Sequence, residues 1–180
     1  RFRTEARAWL DAHAERRTGP GDWSDGPPPG DPEAEQAHLD RCRAWQRTLY
    51  DGGWVLGWPE AYGGRPAPAW QRQVFAEEMA AHDVTTGFLA AGLALVGPAL
   101  LAHGTREQKD ELLPRLLRGD DVWCQLFSEP GAGSDLASLS TKAEREGDRF
   151  VVNGQKVWPS AAHLADRAIL LARTDPSAPK

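Results

Sequence analysis

At 180 residues, 41% of them hydrophobic, the chain carries enough apolar content for a packed core and reads as globular, in one domain or two small ones. A formal net charge of -5 and a pI near 5.5 leave no electrostatic footprint for nucleic acid or an anionic membrane surface. Two cysteines, Cys42 and Cys124, suit no zinc or disulfide framework and favour a reducing, cytoplasmic compartment, while the histidines have no partners at metal-ligand spacing.

The chain opens on Arg1 with no export signal after it, so the expectation is a trimmed sequence. Thr4 to Arg17 is helix-like and rich in arginine, which predicts a solvated helix face. The Pro/Gly-rich segment from Thr18 to Asp31 reads as a surface excursion, with a small lid as the alternative. At Asp31-Pro32-Glu33 an N-cap residue, a proline at the first helical position and an acid in the first turn start a helix. Leu39, Cys42, Trp45 and Leu49 give that helix a buried face, and Gly52-Gly53 stop it.

Trp54 to Gly64 is an aromatic, glycine-rich packing loop. Trp70, Val74, Phe75 and Met79 recur at helical spacing, predicting a core stripe with Glu77 and Glu78 outward. Gly87 to Ala102 is the most apolar stretch. It is shorter than a membrane span and interrupted at Gly97-Pro98, which predicts a buried helix pair, with His103 structural or exposed at its end. Thr105 to Gln108 fits a capping box, Pro114 is expected to kink or restart the following helix, and Gly119 to end it.

After Asp121 the pattern changes. Ser128-Glu129-Pro130-Gly131-Ala132-Gly133-Ser134-Asp135 follows the apolar run from Trp123. Its Gly-x-Gly resembles a dinucleotide fingerprint, but Leu136 stands where the third glycine belongs, so a Rossmann site is rejected; no P-loop motif occurs either. The octapeptide is then either an anion-binding nest of backbone N–H groups or an ordinary tight turn. Phe150 to Trp158 reads as a hairpin turning at Asn153-Gly154, after another turn at Gly147-Asp148. Ala168 to Ala172 reads as a buried strand. Helices followed by an antiparallel meander make an α+β fold, with a boundary at 121/122. On these residues alone Trp158 is either a core tryptophan or a ring-stacking platform.

Taken together, SEPGAGSD, NGQKVWPS, and the upstream HGTREQKDELLPRLLRGD and GWVLGWPEAYGG resemble the successive blocks of the flavin-dependent acyl-CoA dehydrogenases, over nearly the whole chain and in the expected order. The resemblance implies an N-terminal helical domain over 1–121 and, over 122–180, the first strands of an antiparallel β-barrel domain, without the family's C-terminal helical domain. It implies an oxidoreductase of lipid metabolism, acting in β-oxidation. Such an enzyme uses FAD to dehydrogenate an acyl-CoA thioester to the 2-enoyl-CoA, passing hydride to flavin N5 and electrons to an electron-transfer flavoprotein. The oligomer expected is a homodimer, homotetramer or heterotetramer.

By the same resemblance Trp158 stacks on the flavin ring, Ser128 and Ser160 donate to it, and the backbone of Gln125, Leu126, Phe127 and Ser128 reaches its edge. Gly133 and Ser134 sit at the pyrophosphate, with Ser134 also near the substrate thioester arm. Pro159 lies within the contact loop and lacks an N–H, so a backbone bond expected there must come from a neighbour. Ser128 stands where threonine is usual, and Gln125 where an aromatic is common. No residue here inherits the family's catalytic glutamate, and Glu129 is assigned to the turn rather than to proton abstraction. The alternatives carried forward are a non-catalytic or truncated subunit that pairs with a complete partner, and an oxygen-using acyl-CoA oxidase or flavin monooxygenase on the same scaffold.

Overall fold

Amphipathic spacing builds the first half of the chain. In the computed structural model, which describes residues 1–19, 26–28, 30–175 and 177–178, helix α1 spans Phe2–His13 and buries Phe2, Ala6 and Leu10 at four-residue steps. The readings placed on residues 20–25 and 29 of the loop after α1 lie outside the described residues. Helix α2 (Pro32–Asp51) begins as its sequence predicts: Asp31 accepts a hydrogen bond from the Ala34 N–H at 3.0 Å, and Pro32 occupies the first turn. Leu39, Cys42, Trp45 and Leu49 are buried along it.

Helix α3 (Ala69–Met79) packs against α1. Phe75 stacks on Trp54 with ring centroids 5.0 Å apart, and Trp9 lies 5.4 Å from Trp54. Two expectations fail on α3. Trp70 is 57% exposed, its ring in a T-shaped contact with Phe2. Glu78 is buried rather than outward, because Arg7 and Arg3 of α1 reach it at 2.8 Å and 2.7 Å. Part of the arginine-rich face of α1 is therefore a clamp on α3 and not merely solvated. The hydrogen bonds from Arg7 and then Arg3 pull the Glu78 carboxyl from an ordinary 4.5 down to about 2.

The apolar 87–103 stretch also departs from expectation. A short 3-10 turn at Gly87–Leu89 leads through a π-helical turn at Gly92–Val96 directly into helix α4 (Gly97–His103), so no break occurs at Gly97-Pro98. The wider turn precedes a residue with no N–H to donate, which absorbs the proline without separating two helices. A Cβ on Gly97 would lie 2.4 Å from the Trp58 ring, so glycine permits this close approach. Leu93, Leu95, Leu100 and Leu101 are only half-buried, and His103 is exposed.

Helix α5 (Arg106–Arg118) carries the capping box of Thr105 and Gln108, runs through Pro114 as one helix, and ends at Gly119 with φ 79. Its buried residues are Leu113, Leu116 and Leu117. It packs on α2, where the Gln46 side chain donates to the Leu117 carbonyl at 2.6 Å. Arg115 forks onto Asp121 at 2.6 and 2.9 Å just beyond the helix. No helix among the described residues is long and apolar enough to cross a membrane.

These helices make one compact unit, Arg1–Val122, and Trp123–Lys180 makes a second. In the second, strand β1 (Trp123–Leu126) pairs with β4 (Arg167–Leu170), and β2 (Lys142–Glu146) with β3 (Arg149–Asn153). The layout is helices followed by strands, as the α+β reading requires. The meander, however, is only partly antiparallel: β2–β3 is antiparallel, whereas β1–β4 is parallel, with Trp123 opposite Arg167 and Leu126 opposite Leu170. The segment between β1 and β4 crosses over, and alternation in sequence carries no information about strand direction. β4 is half-buried rather than buried.

The hairpin turn is corrected as well. β2 and β3 join through Gly147-Asp148, with Gly147 at φ 66, while Asn153 closes β3 opposite Lys142 and residues 154–159 form no strand. Gly154 serves a different purpose: a Cβ there would stand 2.3 Å from the Thr141 hydroxyl oxygen and 2.7 Å from its Cα.

The Glu78 clamp yields a pH signature. A carboxyl with a depressed folded value adds stability above about pH 4.5 and loses it as pH falls toward about 2. Glu78→Gln is expected to lower the thermal midpoint at neutral pH, and the gap to the unaltered chain is expected to close on acidification across that window. Thermal melts at stepped pH measure it, and a gap independent of pH contradicts the clamp.

Candidate functional site

Everything assigned to the site from sequence lies in the second unit. β1 carries Gln125, exposed, and Leu126, half-buried, and hands the chain to Phe127 and Ser128. At Glu129 the backbone folds back on itself: the Glu129 N–H donates to the Ala132 carbonyl at 2.8 Å, and the Ala132 N–H to the Glu129 carbonyl at 3.1 Å. Pro130 and Gly131 form the tip of this turn. Neither Gly131 nor Gly133 has a positive φ, and an added Cβ at either would meet nothing within 4 Å. The outward face of the turn is open space, and Ser134 beyond it is exposed.

The Glu129 side chain points inward and is 6% exposed. Its carboxylate accepts from the Ser140 N–H at 2.6 Å, the Ser140 hydroxyl at 2.8 Å, the Thr141 N–H at 2.9 Å and the Lys156 ammonium at 2.8 Å. Burial pushes the carboxyl up, but the Lys156 ammonium and the Thr141 and Ser140 donors outweigh it and hold the group well below the usual carboxylate range. A carboxylate so occupied is an anion at any working pH and a poor proton acceptor. Its geometry is that of a structural anchor.

Lys156 joins two loops. Its ammonium also donates to the Phe127 carbonyl at 2.9 Å, and the next residue, Val157, donates its N–H to the Ser128 carbonyl at 2.9 Å. The Leu126 carbonyl accepts from the Leu171 N–H at 3.2 Å. The carbonyls of Leu126, Phe127 and Ser128 are therefore committed to the fold. The segment holding Trp158, Pro159 and Ser160 is thereby tied alongside Ser128. No hydrogen bond links Gly133 or Ser134 to that segment among the described residues.

Trp158 is the anomaly. Its side chain is 88% exposed and its backbone sits at φ 58; with Ala161 at φ 57 it is a non-glycine residue in left-handed conformation. A bulky residue there costs about 1–2 kcal/mol, and here no burial of the indole offsets it. Unrewarded strain of this kind collects at ligand clamps. Among the described residues the indole packs against no core.

The donor set suits a flat, anionic, polyoxygenated cofactor. An exposed indole offers a stacking face, the exposed Ser134 and Ser160 and the half-buried Ser128 offer hydroxyls, and the glycine turn leaves room for a large group. Lys156, Ser140 and Thr141 escaped the sequence reading, although they hold the arrangement together. Lys156 lies in the quoted NGQKVW block, but its partner is 27 residues away, a separation that no local periodicity encodes. The helical unit carries its own cleft of about 650 Å³, lined by His13, Arg41, Trp45, Thr48 and Asp83 among others. None of the predicted site residues belongs to it.

Comparison with known proteins agrees with this division. The sequence model for the acyl-CoA dehydrogenase N-terminal domain matches residues 27–120, and that for the acyl-CoA dehydrogenase middle domain matches residues 124–180. Acyl-CoA dehydrogenase IpdE1 of Mycobacterium tuberculosis is 42% identical over 175 residues, which covers 97% of this chain and 44% of that protein. A solved structure described as the Tcur3481-Tcur3483 steroid ACAD G363A variant is 36% identical with a TM-score of 0.71, over 99% of this chain and 44% of its own. Another, glutaryl-CoA dehydrogenase from Mycobacterium smegmatis in complex with FADH2, is 25% identical with a TM-score of 0.64, over 97% of this chain and 42% of its own. The chain thus spans less than half the length of these relatives.

The tight fit at Gly154 predicts that Gly154→Ala forces the 154–160 loop away from Thr141 backbone, at a cost of about 1–3 kcal/mol. Urea unfolding monitored by circular dichroism measures it, and an unchanged midpoint excludes the close approach.

Proposed function

The chain belongs to the acyl-CoA dehydrogenase family, and we propose that it supplies the flavin-gripping part of an FAD-dependent enzyme that dehydrogenates an acyl-CoA thioester to the 2-enoyl-CoA. What supports this reading most directly is the pairing of the Ser128 and Trp158 loops. The Val157–Ser128 bond at 2.9 Å places a strained, solvent-facing indole beside a hydroxyl-bearing strand exit. Bound FAD would supply the hydride acceptor that no side chain provides.

Within this reading Trp158 offers its indole face to the ring, and Ser128 and Ser160 donate hydrogen bonds to its polar edge. The backbone of Gln125, Leu126, Phe127 and Ser128 lines that edge through N–H groups rather than through the committed carbonyls. Pro159 confers stiffness instead of a donor. Gly133 and Ser134 receive the pyrophosphate, and Ser134 the thioester arm. Glu129, saturated by its donors, takes no part in removing the α-proton, and no other residue of this chain is given that role. Electrons leave to an electron-transfer flavoprotein, and the protein works in the cytoplasm as an oligomer.

A second reading, that the chain belongs to one subunit of a heteromeric dehydrogenase, is favoured by one observation. The related steroid ACAD is described by the paired name Tcur3481-Tcur3483. The same relative makes a steroid-derived acyl-CoA the substrate class to try first.

The full-length protein, purified alone and with a co-expressed neighbouring subunit, is expected to be yellow and to bleach anaerobically with a suitable acyl-CoA. Colour and bleaching only in the co-expressed form select the heteromer, and oxygen consumption during turnover selects an oxidase or monooxygenase. Trp158→Ala is expected to weaken FAD binding about two- to tenfold, as loss of a stacking contact of about 0.5–1.5 kcal/mol implies. Unchanged affinity removes the stacking role.

A further inference from the structure

Lys156, Val157 and Trp158 are consecutive, and each does something different. Lys156 is anchored with its side chain 8% exposed, its ammonium bridging the Glu129 carboxylate and the Phe127 carbonyl at 2.8 and 2.9 Å. Val157 hydrogen-bonds to the Ser128 carbonyl. Trp158 then takes the left-handed conformation with its indole in solvent. A strained residue persists only where its surroundings over-determine it. Since no hydrogen bond or ring contact holds the Trp158 side chain among the described residues, the restraint comes through the backbone from the two residues before it. Glu129 is itself fixed by Ser140 and Thr141, so the anchor is rigid.

We infer that Lys156 is a positioning residue for the cofactor, holding Trp158 in its left-handed, ring-ready conformation through the ion pair with Glu129. This rests on the flavin reading above. An ammonium does here what an apolar side chain cannot: a single Nζ satisfies both the Glu129 carboxylate at the start of the Pro130-Gly131 turn and the Phe127 carbonyl two residues before it, and so sets where the following peptide begins. Without that anchor the peptide relaxes to ordinary φ, and the indole no longer waits where the ring must dock.

The test is a double-mutant cycle in the full-length protein, built from Lys156→Met and Trp158→Gly, with FAD affinity of the apoprotein and the visible spectrum of the holoprotein as readouts. Lys156→Met alone is expected to weaken FAD about three- to tenfold, no more than removal of the indole itself does, and to blur the resolved shoulders of the flavin band. In the Trp158→Gly background it should cost less than about twofold, because the group it positions is gone. Equal losses in both backgrounds, or affinity within twofold of the unaltered protein, overturn the inference and reduce Lys156 to a stabilising residue. If Lys156→Met does not fold, Lys156→Arg replaces it, since its planar fork cannot bridge both oxygens through one atom. The same pattern of loss confined to the Trp158 background is then required. Failure of the functional reading is seen separately, as Trp158→Gly binding FAD as tightly as the unaltered protein.

Discussion

A buried carboxylate and a buried ammonium, Glu129 and Lys156, meet at 2.8 Å with side chains 4% and 8% exposed, and the loops of the second unit are arranged around them. Desolvating two charges is expensive, and a buried pair is seldom a net source of stability over an apolar pair of the same volume. What the pair supplies is direction. Every oxygen of Glu129 is claimed by a specific donor from 140, 141 or 156, and the ammonium is claimed again by the Phe127 carbonyl. A leucine in either place would fill the space while leaving the loops free to slide.

The helical unit solves a related problem with cheaper materials. Most of its order is local: caps at Asp31 and Thr105, a glycine stop after Arg118, and apolar faces at helical spacing. Its long-range joints include an aromatic cluster around Trp54, the Gln46–Leu117 bond between α2 and α5, and the Arg3–Arg7–Glu78 clamp between α1 and α3. That clamp differs from the Glu129 anchor because its guanidinium groups remain about half in water. Screening weakens it, and it fastens two helices that also meet through apolar packing.

Glycine illustrates how one residue type answers to several constraints. Gly147 provides the positive φ that closes β2 onto β3, Gly154 provides room against Thr141, and Gly131 and Gly133 provide neither, facing open space. The Asn153-Gly154 pair has the composition of a hairpin turn. It does not make one, because the chain beyond it is captured by Ser128 and Glu129 rather than by β3. Tertiary capture outweighed turn propensity at this point.

The amino-acid order alone determined what depends on near neighbours. It placed α2 with its cap, the capping box and glycine end of α5, the buried face of α2, and the change from helix to strand after Asp121. These follow from interactions within a few residues, where spacing is a physical code. It could not reveal that β4 runs parallel to β1, that Glu78 turns inward to two arginines more than seventy residues away, that the 92–96 segment widens to pass Pro98, or that Lys156 is the root of Trp158. Those outcomes belong to the folded chain, because charges and strand edges choose partners by position in space, and only three-dimensional packing brings 129 beside 156 or sets the indole of Trp158 in solvent against its backbone preference.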